Sequence, residues 1–231
     1  MKIIAPGVAG PVTGSSKLLY IVRHGESASN NENRIQGHSD SGLTARGMRQ
    51  AAKAGQALKG KGIRRILSSD LGRALSTARV IGRSCGLSVR PDPLLREIRL
   101  GKWEGLTPDE VNHRFANGYH RWLASPSTMH IPGAERVNAF HRRVRGRVLA
   151  ILAEPGPGPV LLVTHGGVIA SLLAWWLKAD FDTVILNLRV DNTSITAVEE
   201  SATRVKIHRL AQTAHLSPRD LGTKNIFSSR R

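Results

Sequence analysis

Hydrophobic residues follow two rhythms along this chain. Three short runs, Leu18–Val22, Ile63–Leu67 and Val160–Val163, read as strands. The first and third are apolar at every position, as expected of parallel strands covered on both faces. Between them the period lengthens to that of a helix. Thr44 can cap a helix through ARGMRQAAKAGQAL, which Gly60 and Gly62 end. LGRALSTARVIGRSC puts Leu71, Ala74, Leu75, Ala78 and Ile81 on one face, and Val137, Phe140, Val144, Val148 and Ile151 form a second stripe. EPGPGP at 154–159 breaks that helix before the third strand, and GVIASLLAWWLKA follows as a mostly buried helix. Ser194–Val198 and Val205–His208 alternate and read as edge or antiparallel strands. Strands alternating with helices predict an α/β fold: a three-layer sandwich with a mostly parallel central sheet and helices on both faces.

Composition narrows this picture. At 231 residues the chain reads as one domain, and 40% hydrophobic residues suffice for a sizeable core. A lone cysteine, Cys85, fits a reducing cytoplasm. No apolar run reaches the length of a membrane span. Residues 1–16, cut by Pro6, Gly7, Gly10 and Pro11, read as a flexible tail rather than a signal peptide. Residues 17–211 are the expected domain, and 212–231 a basic, loosely held tail. The net charge of +17 raises nucleic acid, an acidic membrane surface or anionic substrates as partners. Only 4% aromatic residues, and no zinc-finger or RNA-recognition signature, argue against nucleic acid. A generically basic surface accounts for the charge equally well.

Ligands of open α/β sheets bind beyond the carboxyl ends of strands. The first strand ends in Arg23-His24-Gly25, the second leads into SSDLGRALSTA with Arg73 in the first turn of a helix, and the third ends in Thr164-His165-Gly166-Gly167. Each signal alone carries little. Together they converge two histidines and two arginines on one edge. Glycines there allow close approach to a ligand, and helix amino termini add free N–H groups. The expectation is an anion pocket containing a nucleophile.

This constellation resembles the histidine phosphatase superfamily, also called phosphoglycerate mutase-like. The matching pieces are RHGES at 23–27, Asn30, NRIQGHSD at 33–40, LTARGMRQA at 43–51, LSSDLGRALSTA at 67–78, LREIRLGKWEGLT at 95–107, PGAE at 132–135 and VTHGG at 163–167. The resemblance spans Leu18 to Leu210 and implies the roles. His24 matches the nucleophile that becomes phosphorylated; Arg23, Arg73 and His165 match the groups holding the phosphoryl oxygens, with Asn30 assisting. Glu97 matches the proton donor. Gln36, Gly37 and Gly166 border the substrate, Glu135 contacts substrate or caps a helix, and Glu26 and Ser27 hold the loop. No metal or cofactor is implied. The stretch from Leu106 to Pro132 is expected to form a small helical cap over the pocket, in which Trp122 packs or lines the pocket and His113, His120 and His130 read as packing or surface residues, as does His141 beyond it.

The chemistry agrees with these roles. A phosphate monoester carries about −1.5 to −2 charge near neutrality. Two arginines offset most of it, each gripping two oxygens. His24 must be neutral to attack phosphorus, and neighbouring arginines disfavour its protonation. Glu97 can protonate the departing alkoxide and later activate water against the phosphohistidine. The reading is therefore a phosphomonoesterase acting on small phosphorylated metabolites. A cofactor-dependent phosphoglycerate mutase and a protein-directed or basic binding module are the alternatives. The mutase branch carries an ERHYG-like stretch and a longer cap, whereas Glu97 sits in LREIRLGKWEG. Ser29, Gly42 and the GAER at 133–136 depart from the family pattern beside the pocket and leave the substrate open. So does the composition leave a homodimer open.

Overall fold

The computed structural model describes residues 16–201 and 204–221. The tail expected at 1–16 therefore lies almost wholly outside the described residues, as does the end of the chain beyond 221. Six strands form one sheet: β1 (Lys17–Arg23), β2 (Arg65–Ser68), β3 (Val89–Pro91), β4 (Val160–Thr164), β5 (Ile195–Glu200) and β6 (Val205–Gln212), in the order β3-β2-β4-β1-β5-β6. The four strands β3-β2-β4-β1 run parallel, and β5 and β6 continue the sheet antiparallel. The expected second strand starts two residues late, because Ile63 and Arg64 belong to the approach from the preceding helix. β3 was not expected: three residues with one partly buried side chain carry no usable periodicity.

Among the described residues eight α-helices complete the fold: α1 (Ala28–Asn31), α2 (Ala45–Leu58), α3 (Gly72–Cys85), α4 (Pro108–Arg114), α5 (Gly118–Ala124), α6 (Val137–Ala153), α7 (Gly166–Leu177) and α8 (Phe181–Asn187). Thr44 caps α2 as its sequence implies, accepting from the Gly47 N–H at 3.0 Å. The sheet separates two cores, as the full burial of β1 and β4 demands. Tyr20 and Val22 face Ala54 and Leu58 of α2 and Ala74, Ala78 and Ile81 of α3. Leu19 and Ile21 face Phe140, Val144 and Val148 of α6 and the apolar side of α7. Burying an aliphatic side chain of this kind is worth about 1.5–3 kcal/mol, so alternate residues of one strand tie both helical layers to the sheet.

The segment after β6 departs from the expected loose tail. Asp220 is 3% exposed and Leu216 is buried. Asp220 pairs with Lys53 at 2.6 Å and Arg49 at 3.3 Å, so residues 213–221 lie pinned against α2. Periodicity could not reveal this, because the anchors are polar and lie some 170 positions away in sequence.

Candidate active site

Register places the site. Arg23 is paired with Thr164 across β1 and β4, so His24 and His165 are the next residues on adjacent strands. The His24 N–H donates to Thr164 O at 2.8 Å, and the two imidazoles stand 5.1 Å apart, centre to centre. β2, on the other side of β4, leads into α3 and delivers Arg73 to the same edge. All four side chains are at least 94% buried.

The His24 ring is fixed by its own loop. Nδ1 lies 2.8 Å from Gly25 O. A carbonyl only accepts, so Nδ1 carries the proton and Nε2 the lone pair. Burial pushes the His24 pKa well below its ordinary 6.5, and Arg73 and Arg23 push it further. The ring is thus a neutral nucleophile at neutral pH. His165 is shifted the same way, by burial first and then by Arg73, His24 and Arg23. Its Nε2 meets Ser69 Oγ at 2.8 Å, while its buried Nδ1 has no partner among the described residues.

The arginines are held from behind. Arg73 donates to Gly37 O and Ser39 O, both at 2.8 Å, and to Asp40 Oδ1 at 3.2 Å. Its buried Nε has no acceptor among the described residues. Asp40 also accepts from the Gly72 and Arg73 amides, fastening the loop to the start of α3. Arg23 donates to Val190 O. Burial lowers its pKa from the ordinary guanidinium range to about 10, against the opposing pull of Glu97 and Asp191, so it remains charged near neutrality. Two buried cations facing two neutral imidazoles are costly without an anion between them.

Glu97 enters from the segment after β3. Its two oxygens accept from the Ile98 and Gly167 amides, each at 2.9 Å, and each keeps a lone pair on which a proton can sit. His38 Nε2 donates to its carbonyl at 2.8 Å, and Arg143 reaches the same carbonyl at 3.3 Å. Glu97 and Glu135 are the only carboxylates lining the cavity among the described residues, and Arg143 grips both oxygens of Glu135, at 2.9 and 2.7 Å. The expected alternative for Glu135, helix capping, is not realised, since Arg136 occupies the N-cap of α6. Glu26 and Glu104 are committed to loops: Glu26 accepts from Thr44 and Arg46, Glu104 from the His38 and Leu100 amides.

Arg23, His24, Asn30, Gln36, Gly37, Arg73, Glu97, Glu135 and Gly166 line one cavity of about 550 Å³. His165 sits behind it, ring against ring with His24. Asn30 Oδ1 accepts from the Ser27 amide and from Asn192, and Gln36 Oε1 accepts from Ser27 Oγ at 2.9 Å. Gly37 has φ +54, and an added Cβ there would lie 2.3 Å from Glu104 Oε1. Beyond the phosphoryl end the walls are largely apolar, with Arg136, Asn138 and Arg142 among them. Tyr119 and Trp122, stacked at 5.6 Å in α5, face Ile98, Ile131, Phe181 and Ile185. Trp122 lines the cavity, the second of its two expected roles, and so does His130, whose expected packing or surface role did not include it. His141 does pack, hydrogen-bonding Ser171 and meeting Phe181 edge-on. Sequence reasoning also missed the supporting residues Asp40, Ser69, Asn192 and Arg143. Asp40 and Ser69 lie inside the motifs, but nothing local marks what they hold.

These features define a class: an anion pocket at the carboxyl edge of a sheet, with a neutral imidazole at its base and a carboxyl at its side. Residues 19–213 match the family described as the histidine phosphatase superfamily, branch 1, and the chain belongs to that family. It is 36% identical over 208 residues to a protein of Yersinia pestis named "Probable phosphoglycerate mutase GpmB", covering 86% of this chain and 94% of that one. Among solved structures it is similar to Bacillus stearothermophilus YhfR, with TM-score 0.82 and 31% identity over 86% of this chain and 98% of that one. It is also similar to a mycobacterial glucosyl-3-phosphoglycerate phosphatase solved with VO3, with TM-score 0.77 and 31% identity over 85% of this chain and all of that one. The relatives thus include both phosphatases and mutases.

Proposed function

We propose that this chain is a phosphomonoester hydrolase working through a phosphohistidine at His24, on phosphorylated metabolites whose alcohol part is bulky and largely apolar. The observation that carries this reading is the wall of the cavity. A mutase must keep a small, polar three-carbon acid in place while the phosphoryl group returns to it, which calls for polar contacts close around it. Here the space next to His24 is about 550 Å³ and is bounded mostly by apolar side chains, among them Trp122, Phe181, Ile98, Ile131 and Ile185, with Arg136, Asn138 and Arg142 also on its wall. An apolar alcohol fits such walls, and its departure admits water.

In the first half of the reaction, His24 Nε2 attacks phosphorus. The P–N bond forms as the ester P–O bond breaks, and Glu97 gives its proton to the departing oxygen. Arg73 Nε and His165 Nδ1, which lack partners among the described residues, are donors suited to the phosphoryl oxygens, beside the charge of Arg23. In the second half, Glu97 takes a proton from water as the water oxygen bonds phosphorus and the P–N bond breaks. Inorganic phosphate leaves and His24 is regenerated. The charge neutralisation often supplied by a divalent ion falls here to two buried arginines, so the proposed reaction is metal-independent. The lone, partly buried Cys85 supports a cytoplasmic location.

The mutase reading is favoured by one observation, the likeness to the Yersinia protein. A panel separates the two: aryl and alkyl phosphates, sugar phosphates, and 3-phosphoglycerate with and without 2,3-bisphosphoglycerate. Phosphate release fastest from bulky apolar esters is expected. Formation of 2-phosphoglycerate outpacing phosphate release would establish the mutase instead.

A further inference from the structure

The segment 213–221 belongs to none of the motifs that mark the site, yet two routes connect it to the nucleophile's loop. The first runs through Gln50 of α2, a side chain only 1% exposed. Gln50 Nε2 donates to the backbone carbonyl of Asp220 at 2.7 Å, and Gln50 Oε1 accepts from the Glu26 amide at 2.8 Å. One amide group therefore holds the strap at one end and the residue two positions after His24 at the other. The second runs through Thr193. The His215 imidazole lies beside the Thr193 backbone, and the Thr193 N–H donates to Arg23 O at 3.0 Å and His24 O at 3.3 Å.

The anchoring exceeds what a surface tail needs. Asp220 accepts from Lys53, Arg49 and Ser217, and Lys53 also reaches Ser217 at 3.2 Å. Little slack exists on the other side of the loop. An added Cβ on Gly25 would lie 2.6 Å from Gly47 O, so the loop backbone rests directly on α2. Whatever sets the position of Gln50 sets the Glu26 amide, and through the short loop it sets the Gly25 carbonyl that fixes the His24 tautomer.

We propose that residues 213–221 are a strap that positions the catalytic loop, with Asp220 as its anchor and Gln50 as the positioning residue that transmits it. The catalytic consequence rests on the phosphohistidine reading above; the structural consequence does not. A nucleophile displaced by an ångström loses about 10²-fold in rate. The strap therefore acts on the chemical step and leaves substrate affinity to the cavity walls.

The test compares chains ending after Leu221 and after Gln212 with full-length Asp220→Asn, Gln50→Met and the double variant. Two readouts are used: hydrogen exchange at the Glu26 amide, which needs no activity, and single-turnover kinetics on 1-naphthyl phosphate. The chain ending after Leu221 should match wild type. Asp220→Asn and Gln50→Met should each speed exchange at Glu26 and lower the phosphorylation rate about tenfold or more, with KM little changed. In the double variant the losses should not multiply, because both act through one contact. The chain ending after Gln212 should resemble the double variant; the intact point variants keep the test decisive if that chain fails to fold. Multiplying losses, or wild-type exchange and rate in Asp220→Asn, would overturn the proposal. Faster exchange at Glu26 in the variants, alongside a wild type that forms no phosphohistidine, would overturn the chemical reading, and with it the strap's catalytic role.

Discussion

His24 and His165 are imidazoles that the folded protein keeps neutral, and this gives stability a pH dependence of known sign. In the unfolded chain both take up protons near pH 6.5; in the folded chain burial and the arginines hold both pKa values well below that. Below pH 6.5 the unfolded state binds more protons, so stability is fully present above that pH and falls as the pH drops, by about 1.4 kcal/mol per pH unit for each histidine. Urea unfolding at pH 7.5 and 5.5 should show the loss, and His165→Asn should reduce the slope. Glu97 makes a different prediction. Glu97→Gln cannot donate a carboxylic proton, so it should lose about 10²-fold or more on an alkyl phosphate while sparing p-nitrophenyl phosphate, whose leaving group needs little help. Gly167→Ala should show the same pattern more weakly, because its Cβ would lie 2.4 Å from Glu97 Oε1 and push the carboxyl aside. Equal losses on both esters would mean that Glu97 only positions substrate. At this scale the sequence was largely legible. His24, Arg73 and His165 stand in recognisable strings because each follows the end of a strand or opens a helix, whereas Glu97 lies in the loop after β3 and was legible only through the family resemblance. Asp40 and Ser69 were not legible as supports, because a short polar side chain looks alike wherever it points.

Helix α2 approaches the catalytic loop more closely than any pattern of hydrophobic residues suggests. A Cβ on Gly47 would lie 2.0 Å from Glu26 O. Gly47→Ala should therefore destabilise the protein by about 1–3 kcal/mol in urea unfolding, although alanine is the better helix former. A neutral or stabilising result would contradict this close packing. The helices themselves were legible where one face was continuous, as in α2, α3 and α6. The strand β3 and the helix α8 were not. β3 is too short for periodicity, and the seven residues of α8, Phe181–Asn187, span too few turns to establish a helical period. That omission mattered, because Phe181 and Ile185 of α8 complete the apolar wall that bears on the substrate.

Across the whole molecule the net charge of +17 gives a prediction about encounter rather than chemistry. If it draws in anionic esters, kcat/KM should fall steeply between low salt and 0.1 M, where screening acts over about 10 Å. A flat profile would assign the charge to a generically basic surface. Fold class followed from the alternation of strands and helices, whereas the fastening of residues 213–221 rests on ion pairs between distant parts of the chain, which no local pattern encodes. The account as a whole stands on His24 carrying the phosphoryl group and water, not a bound alcohol, removing it. Rapid mixing with 1-naphthyl phosphate, quenching in base and mass spectrometry of the digested protein tests this most directly. An acid-labile, base-stable phosphoryl group on His24 is predicted, forming faster than turnover and decaying to inorganic phosphate. Steady turnover by His24→Ala, or a phosphoryl group found on another residue, would contradict it.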